Sequence, residues 1–89
     1  MSETAVDSLV LDLVEWVGRT ERTYADTMDA WRTSCPRLTV WEDACERGYV
    51  ERALARDVVV VRVTSAGLNA LKERRPSAYD DLRRADRRQ

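Results

Sequence analysis

The apolar residues of this chain change their spacing twice, and the two changes bracket a β-hairpin. Up to Gly48 they recur at helical intervals. Between Tyr49 and Val63 they fit an extended chain, with the run Val58-Val59-Val60-Val61-Arg62-Val63 rich in β-branched side chains. After Thr64 the helical interval returns at Leu68 and Leu71. Tyr49 to Leu54 and Val58 to Val63 are therefore predicted strands, with Ala55-Arg56-Asp57 as the turn. Alternation puts Val59, Val61 and Val63 on one face, and Val58, Val60 and Arg62 on the other. A chain with one hairpin among helices belongs to the α+β class.

The helices before the hairpin are bounded by capping signals. Val6, Leu9, Val10, Leu13, Val14 and Val17 make an apolar stripe from Thr4 to about Arg19, with Thr4 and Asp7 as a capping-box variant. A second helix is predicted from Thr23, with Asp26 three residues on, to about Ser34. Pro36 biases Cys35 away from helical geometry and so closes it. Thr39-Val40-Trp41-Glu42 opens a third helix that Gly48 stops, with Trp41, Ala44 and Cys45 expected inside. Thr64 caps a fourth helix that ends at Pro76. Residues 77–89 read as a short last helix or a basic tail.

With 89 residues the chain makes one domain, its core expected over about residues 4–75. Apolar residues are 44% and charged residues 35%, an ordinary globular balance. The longest uncharged apolar run is Val58 to Val61, too short to span a bilayer. The N-terminus lacks a basic region ahead of an apolar one, so a cytoplasmic protein is expected. Cys35 and Cys45 without a single histidine cannot form a four-ligand zinc site from Cys and His. No Gly-rich phosphate loop or nucleophile elbow is present. These features predict neither an enzyme nor a bound cofactor.

The segments Glu46-Arg47-Gly48-Tyr49-Val50-Glu51-Arg52 and Val63-Thr64-Ser65-Ala66-Gly67-Leu68-Asn69-Ala70-Leu71 occur in the order and spacing of a known pattern. They resemble the second half of a winged helix-turn-helix domain of the kind found in MarR-like bacterial regulators, a resemblance that covers roughly residues 20–75. It implies three N-terminal helices, a two-stranded hairpin wing and one or more C-terminal helices. It also implies double-stranded DNA as a partner, a role in transcription regulation and a homodimer. Gly67 matches the small residue where the helix after the wing starts close to the hairpin.

Charge divides the chain and complicates that expectation. Residues 1–45 hold four arginines against nine acids, and residues 46–89 hold eleven bases against seven acids. In a helix-turn-helix the second helix of the pair meets the major groove. Here its outward side is expected to carry Glu42, Asp43, Glu46 and Arg47, an acidic set facing phosphates. The candidate DNA contacts are therefore Arg37, Arg47 and the hairpin residues Arg52, Arg56 and Arg62. The plainer reading of the hairpin arginines is a solvated face paired with Glu51 and Asp57. The acidic residues Glu42, Asp43 and Glu46, with Trp16 lying off the main stripe of its helix, are candidates for a protein-partner surface. A protein-interaction module that does not bind DNA is the alternative function.

Overall fold

The computed structural model describes residues 5–31 and 40–87. It is α+β: five helices and a three-stranded antiparallel sheet. Helix α1 spans Ala5–Arg19, β1 Arg22–Thr23, α2 Tyr24–Trp31 and α3 Val40–Glu46. Strand β2 spans Val50–Ala55 and β3 Val58–Val63, followed by α4 at Ser65–Arg74 and α5 at Pro76–Arg87. Among the described residues no helix is long and apolar enough to cross a membrane. The predicted caps at Thr4 and Thr39, and the Cys35-Pro36 stop, lie outside the described residues.

Local chemistry accounts for most of the boundaries. Thr23 caps α2 by accepting a hydrogen bond from the Asp26 amide at 2.9 Å, and Thr64 caps α4 by accepting from the Gly67 amide at 3.1 Å. Gly48 stops α3 with φ +73°. The Gly48 amide donates to Cys45 O and the Tyr49 amide to Ala44 O, both at 3.0 Å. That pair of bonds is a Schellman closure, which needs the left-handed conformation glycine adopts without penalty. Pro76 both ends α4 and opens α5, where its missing N–H has no helical partner to lose. Residues 76–87 are thus helix rather than tail.

The sheet departs from the two-stranded expectation. Its order is β1-β3-β2, with Arg22 opposite Val61 and Thr23 opposite Val60. Two residues are too short to carry an alternation, so β1 leaves no periodic signature in the sequence. Pairing of β2 with β3 runs from Val50 opposite Val63 to Ala55 opposite Val58. The turn is therefore the two residues Arg56 and Asp57, at φ 54° and 66°, not three. Positive φ at both positions gives the turn twist that suits a tight hairpin.

The core gathers on α1. Val10, Leu13, Val14 and Val17 are buried as the stripe predicts, and so is Leu11. Val40, Ala44, Val50, Val61 and Leu71 close around them. Leu11 lies off the stripe, yet α1 is covered from several sides, by α3, β3, α4 and α5. Two ion-pair links tie α1 to distant sequence. Arg75 reaches Asp12 at 2.6 Å and Glu15 at 2.5 Å, and donates to Ser8 O at 3.1 Å. Arg47 pairs with Asp7 at 2.7 Å.

Candidate nucleic-acid interface

The hairpin register decides which arginines can act together. Arg52 lies opposite Val61 and Leu54 opposite Val59, while Arg62 lies opposite Glu51. Residues directly opposed share a face, so Arg52 and Arg62 point to opposite sides of the hairpin. Arg52 turns toward the helix pair, its guanidinium carbon 5.3 Å from the centroid of the Tyr24 ring. Tyr24 in turn meets Trp41 of α3 edge-on, with centroids 5.7 Å apart. Arg56 stands exposed at the turn. Arg52 thus stands on the side of the hairpin that faces the helix pair and Arg62 on the other, with Arg56 exposed at the turn. Arg37 lies outside the described residues.

On α3 the inner line is Val40 and Ala44, both buried, with Trp41 partly buried beside them. Cys45 is exposed, not inside. Successive helical residues turn by about 100°, so once Ala44 points to the core its neighbour turns away. Glu42 and Glu46 are exposed and Asp43 is half-buried. The single base at the end of α3 is held by Asp7, and that hydrogen bond raises the Arg47 guanidinium pKa. Among the described residues the outward side of α3 thus presents Glu42, Cys45 and Glu46.

Partial covering by its neighbours pushes the Cys45 thiol up from its ordinary value, Glu42 adds to the rise, and the Arg52 charge opposes it. The thiol therefore stays protonated near neutrality and has little nucleophilic character. Arg52→Gln removes the opposing charge and should raise the thiol pKa further. Peptide-resolved alkylation of Cys45 by iodoacetamide at fixed pH is then expected to slow in the variant. Faster alkylation would show that Arg52 shields the sulfur more than it polarises it.

Trp16 does not stand free as a partner anchor. It is half-buried against the core. The Arg22 guanidinium carbon sits 3.9 Å over its ring, and Trp31 meets it edge-on at 6.1 Å between centroids. Arg22 is also fixed by donating to Trp16 O at 3.2 Å. The most exposed large apolar side chains among the described residues are instead at the far end of the hairpin, where Leu54 is 71% exposed, Val58 45% and Val59 42%. Sequence alternation marks these residues as strand but cannot tell that the helices stop short of them.

A second feature absent from the sequence reading is a groove of about 490 Å³ between the end of α1, β3, α4 and α5. Arg19, Arg62 and Arg83 line it together with Val63, Leu68 and Leu82. These residues come from three distant parts of the chain, so no local motif announces the site. Among the described residues no group of three or more His, Cys, Asp or Glu side chains is arranged to hold a metal ion.

No family model, curated protein or solved structure matches this chain.

Proposed function

We propose that the chain is a winged-helix domain of a cytoplasmic transcription regulator, similar to the MarR-like group, that contacts double-stranded DNA through its hairpin. The observation that carries this reading is that Arg52 and Arg56 are both exposed on the hairpin, Arg52 on the side of the helix pair and Arg56 at the turn. The fold order supports it too, since two short helices precede a hairpin against which the next helix packs. In this proposal the duplex is gripped by phosphate contacts, and α3 does not insert its acidic side into the groove. The DNA-bound species is a homodimer, as regulators that read paired half-sites are.

The test is fluorescence anisotropy of a labelled mixed-sequence duplex at low and moderate salt. Nonspecific binding in the range of about 10⁻⁴–10⁻⁶ M that weakens steeply with salt is expected. Arg52→Gln and Arg56→Asn should each lower affinity and reduce the salt slope by about one. Asparagine tolerates the positive φ at position 56, so that loss is not a folding effect. Arg62→Gln and Arg47→Gln should leave the slope unchanged, the first by facing away and the second by its pairing with Asp7.

Absence of binding at low salt would overturn the proposal in favour of a second reading, a protein-interaction module on the same scaffold. Two observations favour that reading: the acidic outward side of α3 and the exposed Leu54, Val58 and Val59. Exposed apolar side chains grouped at one end of a hairpin suit a protein contact better than a phosphate one.

A further inference from the structure

The groove beside β3 is lined by neither Arg52 nor Arg56 and has a chemistry of its own. Its floor is apolar, formed by Val61 and Val63 of β3, Leu68 of α4, and Tyr79 and Leu82 of α5. Leu68 is 37% exposed there. Arg19, Arg62 and Arg83 line the groove with Glu21 as the one acidic lining residue, and Glu51 lies opposite Arg62 on the neighbouring strand. Among the described residues neither Arg62 nor Arg83 pairs with a carboxylate, and Arg19 has only the exposed contact to Glu15 at 3.4 Å. Arg83 lies against the Tyr79 ring, 5.8 Å from its centroid, which holds its charge beside the floor.

From this charge complementarity we infer that the groove is a docking site for an acidic amphipathic segment of a partner protein. One or two apolar side chains of the segment rest on Val63, Leu68 and Leu82, and flanking Asp or Glu residues meet the three arginines. A small ligand needs fixed polar groups to orient it inside a pocket. Here no buried side-chain nitrogen or oxygen among the described residues lacks a partner, and the charges sit on long rim side chains. Such a rim suits carboxylates spaced along a chain, each contributing a weak exposed pair. Neither Arg52 nor Arg56 lines this groove, so the inference stands whether or not the domain binds DNA.

The test is a two-dimensional amide NMR titration of the full chain with a synthetic sixteen-residue peptide carrying leucines at i, i+3, i+4 and i+7 and Asp or Glu elsewhere. Shifts are expected at Gly18, Val63, Leu68 and Leu82, and Arg62→Glu and Arg83→Glu should each weaken binding by about fivefold to tenfold. Leu68→Glu places a carboxylate on the exposed part of the floor and should abolish binding while the far-UV spectrum stays unchanged. Three controls can overturn the inference. A peptide with lysines in place of its acids that binds equally would show that charge is not read. An acidic peptide with its leucines changed to serine that binds equally would show a purely electrostatic surface. Equivalent shifts from decanoate or a short DNA duplex, with none from the acidic peptide, would assign the groove to a small anion or to phosphates.

Discussion

Replacing Gly67 by alanine is expected to destabilise the fold by about 3 kcal/mol or more, the upper end of what overpacking costs. A Cβ at this position would overlap the Tyr49 carbonyl oxygen, and would fall 3.1 Å from Tyr49 C and 2.8 Å from Val63 Cγ1. The carbonyl cannot move aside cheaply, because it accepts the Thr64 amide at 3.0 Å. The Thr64 hydroxyl also donates to the Gly48 carbonyl, so the start of α4, the end of α3 and both strands meet at one point. Gly18→Ala is the contrasting case. Its Cβ would meet Leu82 Cδ1 at 2.7 Å, the far end of a flexible side chain, and alanine is the better helix former by about 1 kcal/mol. Urea melts of the two variants should therefore separate, with Gly67→Ala far below wild type and Gly18→Ala near it. Equal midpoints would mean that α4 does not approach the hairpin this closely.

Leu71→Ala should cost about 2–5 kcal/mol, the range for removing a fully buried leucine side chain. Leu71 is wholly buried in the core, on a helix that packs against α1, β3 and α5. A domain of this size is stable by roughly 5–13 kcal/mol, so the loss is a large share of the whole. Thermal unfolding is expected to shift down by about 10–25 °C, taking roughly 5 °C per kcal/mol. Leu68→Ala, one turn earlier and 37% exposed, should shift it far less. The two leucines look alike in the sequence and differ in what packs on them. A shift of similar size in both would place Leu68 in the core and close the groove.

The elements that could be read from the sequence are those whose signal is local. The Gly48 stop, the Thr23 and Thr64 caps and the strand Val58–Val63 each depend on a few neighbouring residues, and each is found where its pattern lies. Turn length, by contrast, follows from strand register: Ala55 pairs with Val58, which leaves two residues where three were expected. Strand β1 depends wholly on a partner some forty positions away. Cys45 is exposed because the buried line of α3 runs through Val40 and Ala44, whereas the sequence pattern predicts it through Trp41, Ala44 and Cys45. The candidate sites divide the same way. Arg52, Arg56 and Arg62 stand out as bases near a turn, but only the register separates Arg62 from the other two. The groove assembles Arg19, Arg62 and Arg83 from α1, β3 and α5, and no single stretch of sequence contains it.

The ion pairs of α1 bear on the unequal charge of the two halves of the chain. Asp7, Asp12 and Glu15 belong to the acidic first half, and their partners Arg47 and Arg75 belong to the basic second half. Folding therefore brings opposite charges together inside one domain. The imbalance visible along the sequence is partly neutralised within the molecule before any partner arrives. What an approaching polyanion or polycation would meet is the remainder. Long-range steering by that remainder is weak beyond a Debye length of about 8 Å at physiological salt. The overall charge of the domain accordingly says little about how any one patch of its surface would meet a charged partner.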